Sequence, residues 1–88
     1  LVKSWILDIK GSGVRINLLS PGPVDTPSLR AVLGENAPQV IDLLNEKSTL
    51  GRIGQAHEIG QAALFLASEA SSYVNGAELF ADGGASQV

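Results

Sequence analysis

The apolar run Val14-Arg15-Ile16-Asn17-Leu18-Leu19 stops at Ser20-Pro21-Gly22-Pro23, and that junction restricts the folds open to the chain. Proline gives no amide to a ladder, and Pro-Gly and Gly-Pro pairs turn the backbone, so the run reads as a strand delivered to the rim of a sheet. Only Arg15 and Asn17 interrupt it. A strand over Val14–Leu19 with both faces covered is therefore predicted, the pattern of a parallel strand between helix layers. In open α/β sheets the rim at the strand ends is where ligands bind. Asn17 reads as a polar group satisfied by neighbouring backbone.

On the N-terminal side, Leu1, Val2, Trp5, Ile6 and Ile9 share one arc at about 100° per residue, with Lys3, Ser4, Asp8 and Lys10 outside it. This predicts a helix laid on a core and stopped by Gly11-Ser12-Gly13, with Leu7 off the stripe. Beyond the loop, Thr26-Pro27 is a helix opening, because Thr caps and Pro suits the first helical position. Leu29, Val32 and Leu33 give that helix an apolar face before Gly34. Asn36-Ala37-Pro38 opens a second helix in the same manner, with Val40, Ile41, Leu43 and Leu44 apolar. Two short amphipathic helices at this point fit a lid and a plain surface excursion equally.

Gly51-Arg52-Ile53-Gly54 is a turn-rich connector in which Arg52 could reach an anion, though a lone surface Arg more often pairs with a nearby carboxylate or with water. From His57 to Glu69, Ile59, Ala62, Ala63, Leu66 and Ala67 share an arc, predicting a helix packed on the sheet. Leu64 and Phe65 flank its polar face, so this helix has a second apolar surface, for a subunit interface or for packing under the lid. Ala77–Ala81 is a second strand, ended by Asp82-Gly83-Gly84. With the helix between them the two strands form a crossover unit, parallel and right-handed.

Composition removes whole classes. At 88 residues one compact piece is the ceiling. No Cys is present, which excludes a disulfide framework and thiolate zinc sites, and the single His57 has no partner ligand. A net charge of −3 with scattered basic residues gives no footprint for nucleic acid or anionic membrane. No apolar run approaches the roughly 20 residues of a membrane span. A cytoplasmic α/β piece is the expectation. Because Leu1 already follows a helical pattern without a capping residue, the chain is expected to be the C-terminal end of something longer.

Gly13-Val14-Arg15-Ile16-Asn17 leading to Ser20-Pro21-Gly22, with Val24 and Thr26 behind it, resembles the C-terminal part of a classical short-chain dehydrogenase/reductase. Gly51-Arg52-Ile53-Gly54, Glu58-Ile59, the stretch Ala63 to Ser68, Val74-Asn75-Gly76 and Asp82-Gly83-Gly84 extend the resemblance over essentially the whole chain. Divergent enoyl reductases of the superfamily usually carry Ala where Pro21 stands, which favours the classical branch.

The resemblance implies a Rossmann-like doubly wound parallel sheet, of which residues 1–88 hold only the last two strands and flanking helices. It implies a parent that is an NAD- or NADP-dependent oxidoreductase, moving a hydride between nicotinamide and a ketone or secondary alcohol, and a homo-oligomer, dimer or tetramer. The family's catalytic Tyr-x-x-x-Lys pair, Ser and glycine-rich fingerprint are absent here, and Tyr73 is followed four residues on by Ala77. No catalytic residue is therefore assigned. Pro21 and Gly22 would place backbone beside the nicotinamide ring, Val24 would offer main-chain groups to the carboxamide, and Thr26 would hydrogen-bond the carboxamide or the pyrophosphate. Residues 27–49 match the substrate lid, with Leu29, Val32 and Leu33 as its apolar lining. The alternative is a non-enzymatic dinucleotide-binding or scaffold relative.

Overall fold

The computed structural model describes residues 2–85, with side chains from Trp5 onward. Leu1 and the side chains of Val2, Lys3 and Ser4 lie outside the described residues. Helix α1 spans Val2–Asp8. Ile6 and Ile9 are half-buried, whereas Trp5, expected on the same buried arc, is exposed. Past the helix the Ser12 hydroxyl donates to the Ile9 carbonyl at 2.6 Å, closing the turn that Gly11 and Gly13 bracket.

Strand β1 runs Leu18–Pro21 and pairs in parallel with β4, Glu78–Ala81, Leu18 lying opposite Glu78 and Pro21 opposite Ala81. β1 thus begins later than the predicted Val14. The reason lies in side chains that stand in for ladder bonds. Ile16 donates its amide to Asn75 Oδ1 at 2.9 Å and accepts from the Gly76 amide at 2.8 Å. Asn17 donates from Nδ2 to the Val74 carbonyl and accepts the Ala77 amide on Oδ1, both at 3.0 Å, the backbone satisfaction expected of it. Leu18 and Gly22 send their amides to the Ala77 and Ala81 carbonyls of the β4 side. In that alternation Pro21 faces the other edge, so its missing N–H costs the ladder nothing.

A second parallel pair joins β2, Val24–Asp25, to β3, Gly54–Gln55. Between them lie α2, Pro27–Leu33, a 3₁₀ turn over Gly34–Asn36, and α3, Ala37–Lys47. Asn36, expected to cap α3, sits in helical conformation and makes no side-chain cap, because the 3₁₀ turn feeds straight into the helix. Ala37, Ile41 and Ile53 are buried, with Leu29, Leu33 and Leu44 packed against them. Burial of each larger aliphatic side chain stabilises by about 1.5–3 kcal/mol. The segment 26–53 therefore carries a small core of its own.

Helix α4 covers Ala56–Ala67 and is followed by a 3₁₀ turn over Glu69–Ser71. Its start is set by a capping box in which Gln55 and Glu58 satisfy each other's orphan amides, a signal not read from the sequence. Ile59, Ala62 and Leu66 are half-buried, while Ala63 and Ala67, predicted on the same inner arc, are exposed. Leu64 and Phe65 are 62% and 42% exposed. The second apolar surface of this helix is thus bare in the single chain.

The chain is elongated, 52 × 25 × 21 Å, and its 16.0 Å radius of gyration exceeds the roughly 12 Å of a compact domain of this length. Only three apolar residues fall in the buried class among the described residues. The β1–β4 pair accordingly leaves Leu18 and Phe80 open. No helix among the described residues is long and apolar enough to cross a membrane.

Candidate functional site

The loop Pro21–Thr26 sits between the C-terminal ends of β1 and β4 on one side and the base of α2 on the other. Gly22 is pressed against the end of β4: a Cβ at residue 22 would lie 2.7 Å from the Asp82 Cβ and 2.8 Å from its Cα. The glycine is thus required by the approach of two chain segments. Its amide is committed to the Ala81 carbonyl at 3.1 Å.

Pro23 accepts the Gly54 amide at 3.0 Å, which locks the loop's far side to β3. Alternate residues of a parallel strand turn their backbone groups to one partner. With Pro23 facing β3, the amide and carbonyl of Val24 face the opposite edge. Thr26, in extended conformation, accepts the Leu29 amide on Oγ1 at 3.1 Å and caps α2, with Pro27 in the first turn. A hydroxyl that accepts with a lone pair keeps its proton to donate elsewhere. Asp25 Oδ1 and Oδ2 receive Arg30 Nε and Nη2 at 2.7 and 2.8 Å. The hydrogen-bonded guanidinium holds the Asp25 carboxyl below its usual range.

Of the three expected lid-lining residues, Leu29 and Leu33 pack into the small core with Ile41, and Val32 is 84% exposed. The structure uses the first two to hold α2 on α3, so Val32 alone remains open. Ser48 Oγ, Thr49 Oγ1 and the Leu50 amide all donate to the Gly83 carbonyl, at 3.0, 2.8 and 3.2 Å. The exit of the helical segment is therefore tied to the turn beside Gly22. A cleft of about 160 Å³ lined by Leu50, Arg52, Gly54, Ile59, Asp82 and Gly83 lies at this junction. A larger, open cleft of about 700 Å³ lies between α1 and the segment Glu69–Asn75, lined by none of the loop residues Pro21–Thr26.

Two braces flank α4. Of the partners open to Arg52 the structure shows a carboxylate, Nη1 and Nη2 donating to Glu58 Oε1 and Oε2 at 2.7 and 2.8 Å. The Arg52 side-chain hydrogen bonds, then the Gln55 amide, hold the Glu58 carboxyl down at about 2. At the other end Arg15 donates to the carbonyls of Leu66, Ser68, Ser71 and Val74 and to Ser71 Oγ, at 2.9–3.3 Å. Ser71 is 1% exposed and shares its hydroxyl proton between the Leu66 and Ser68 carbonyls. Arg15 therefore answers the orphan carbonyls at the α4 C-terminus, where a cation is favoured. Sequence reasoning saw it only as an interruption of a strand. Tyr73 is fully exposed, at 102%. Among the described residues no cluster of His, Cys, Asp and Glu is placed to hold a metal ion.

A family model described as enoyl-(acyl carrier protein) reductase matches residues 1–86. The chain is 47% identical over 88 residues to the L-fucose dehydrogenase of Oryctolagus cuniculus, covering 97% of this chain and 30% of that protein. The solved reductase/Diels-Alderase MalC of Malbranchea aurantiaca superposes with a TM-score of 0.88 at 29% identity, covering 99% of this chain and 32% of the other. YwfH, described as an NADPH-dependent reductase involved in bacilysin biosynthesis, superposes with a TM-score of 0.81 at 28% identity, covering 96% and 34%. The chain thus spans about a third of the length of the curated relatives it matches, between 30% and 34%. Its two parallel strand pairs and flanking helices are the Rossmann-like α/β arrangement of these neighbours.

Proposed function

The chain belongs to the short-chain dehydrogenase/reductase family, and from that premise we propose that it forms the C-terminal part of an NAD- or NADP-dependent oxidoreductase acting on a ketone or secondary alcohol. The observation that carries this reading is the loop Pro21–Thr26, which offers outward polar groups at the end of a parallel strand pair. The dinucleotide, when bound, supplies or accepts the hydride.

This chain's contribution is to bind and orient. Pro21 and Gly22 form a wall whose position Asp82 fixes. The Val24 amide and carbonyl, turned away from β3, are a donor and acceptor pair matched to a carboxamide. The Thr26 proton donates to a carbonyl or pyrophosphate oxygen while the same oxygen holds the α2 cap. A rigid frame for these groups lowers the entropy lost on binding. Residues 27–49 cover the site as a substrate lid, with Val32 open to the ligand side. Leu64, Phe65 and Phe80 supply the apolar surface of a homo-oligomer interface.

The test separates binding from capping at Thr26 in the longer polypeptide that carries this segment. Thr26→Ala removes cap and donor, whereas Thr26→Asp keeps a strong cap and removes the donor. Titration with NADH and NADPH is expected to weaken in both, and thermal stability to fall in Thr26→Ala alone. Wild-type affinity in a folded Thr26→Asp protein would exclude Thr26 from the site. No saturable binding of either dinucleotide to the wild type would overturn the function.

A further inference from the structure

Helix α2 is only seven residues long, and Thr26 is its cap. A helix of that length is marginal on its own, so contacts outside it decide where its first turn points. Arg30 supplies them from the middle of the helix. Its amide donates to the Thr26 carbonyl at 3.1 Å, and its carbonyl accepts the Gly34 amide at the far end. Helical side chains lean back toward the N-terminus, and Arg30 reaches past Thr26 to Asp25, Nε donating to Oδ1 at 2.7 Å and Nη2 to Oδ2 at 2.8 Å. Asp25 is itself fixed from the strand side, because β2 pairs it with Gln55 of β3.

Thr26 is thereby enclosed in a ring. The ring runs from the Asp25 carboxylate through the Arg30 guanidinium and amide to the Thr26 carbonyl, and closes along the chain back to Asp25. A fork of two parallel bonds fixes an angle as well as a distance, which a point charge does not. The side chains of Arg30 and Asp25 are 52% and 22% exposed, and an exposed pair adds at most modestly to stability. Its effect is on orientation. With the Leu29 amide donating to Oγ1 at 3.1 Å, one lone pair of the Thr26 hydroxyl is committed, and the direction left for its proton follows the set of the first turn.

We propose that Asp25 and Arg30 are positioning residues for the Thr26 hydroxyl, setting the direction in which it donates to the dinucleotide without touching the dinucleotide themselves. The part played by the dinucleotide rests on the function proposed above, whereas the hold on the cap does not.

Titration of the longer polypeptide that carries this segment with NADH and NADPH, in Thr26→Ala, Arg30→Gln and the double variant, forms a cycle that tests the assignment. Thr26→Ala is expected to raise Kd roughly fivefold, the worth of one neutral hydrogen bond. Arg30→Gln should raise it by a smaller factor in the wild-type background and leave it unchanged in the Thr26→Ala background. Arg30→Lys, which keeps the charge and loses the fork, should behave as Arg30→Gln does. An equal loss from Arg30→Gln in both backgrounds overturns the proposal, since it would mean either a merely structural pair or an Arg30 that meets the dinucleotide directly. An unaltered Kd in Arg30→Gln, or full recovery in Arg30→Lys, overturns it as well. Exchange of the Leu29 amide followed by NMR without dinucleotide reads the hold on the cap. Arg30→Gln and Asp25→Ala should both speed it, while the Leu18 and Gly22 amides keep their rates. Leu29 exchange unchanged in both variants, or matched by equal acceleration at Leu18 and Gly22, refutes the positioning role whether or not a dinucleotide binds. A wild type that binds neither dinucleotide would remove the proposed function, and Leu29 exchange would still decide whether the pair holds Thr26.

Discussion

Gly22 and Asp82 meet backbone to backbone: a Cβ on the glycine would stand 2.8 Å from the Asp82 Cα. Any side chain at residue 22 must push β1 and β4 apart at the end where Gly22 donates to Ala81. Gly22→Val is expected to cost about 1–3 kcal/mol, the range for overpacking, and to lower the urea midpoint of unfolding. An unchanged midpoint would show that the turn after β4 yields freely.

Arg15 is the most connected side chain of the molecule's interior joint, bonded to four carbonyls and a hydroxyl. Lys offers a point charge without the planar fork, so Arg15→Lys should recover only part of what Arg15→Met loses. The Met variant is expected to be destabilised by about 3 kcal/mol, the upper range for hydrogen bonds involving a charged group. Differential scanning calorimetry measures both, and equal stability of Lys and Met variants would argue that the fork geometry is idle.

Glu58 connects helix capping to pH. Its carboxyl is held at about 2 against an ordinary value of 4.5, so the folded state binds its proton less readily than the unfolded chain. A depressed folded value stabilises above the unfolded one and fails as pH falls through the folded one. Stability should therefore decline between about pH 4.5 and pH 2 on this account. Arg52→Gln is expected to raise the Glu58 titration midpoint and flatten that decline. NMR titration of Glu58 with unfolding curves at several pH values tests it, and an Arg52→Gln protein with the wild-type midpoint would refute the assignment.

Phe65 stands 42% exposed on α4 beside Leu64. If this face joins copies of the longer polypeptide, Phe65→Asp shifts the sedimentation distribution toward smaller species. An unshifted distribution from a folded variant would return Phe65 to the surface of a monomer.

What the sequence made legible was local. Thr26-Pro27 announced a cap because the signal and its partner, the Leu29 amide, lie within one turn. Asn17 in an apolar run had to be satisfied by backbone, and Val74 and Ala77 do so. A carboxylate was among the partners open to Arg52, and Glu58, six residues on, supplies it. Arg15 was not, since its acceptors lie 51 to 59 residues away and carbonyls leave no mark in a sequence. The two-residue pair of β2 with β3 is too short for a period to show. Leu29, Val32 and Leu33 share a helical face in projection, but where α3 crosses determines which of them are covered. The loop was legible through Pro21 and Gly22, whereas the close approach of Gly22 to the end of β4 required Asp82 to be in place.

The two braces of α4 differ in what acid does to them. The first turn depends on a carboxylate, Glu58, that protonation silences. The last turn depends on Arg15, whose named partners are carbonyls and a hydroxyl, none of which titrates. Acidification thus loosens one end of the helix and leaves the other gripped, so α4 frays in a fixed direction, from Ala56 inward. The end that loosens follows directly on β3, and the end that stays is held by Arg15, three residues before β1. Acid between about pH 4.5 and pH 2 would release the β3 end of the helix before it disturbed the β1–β4 pair.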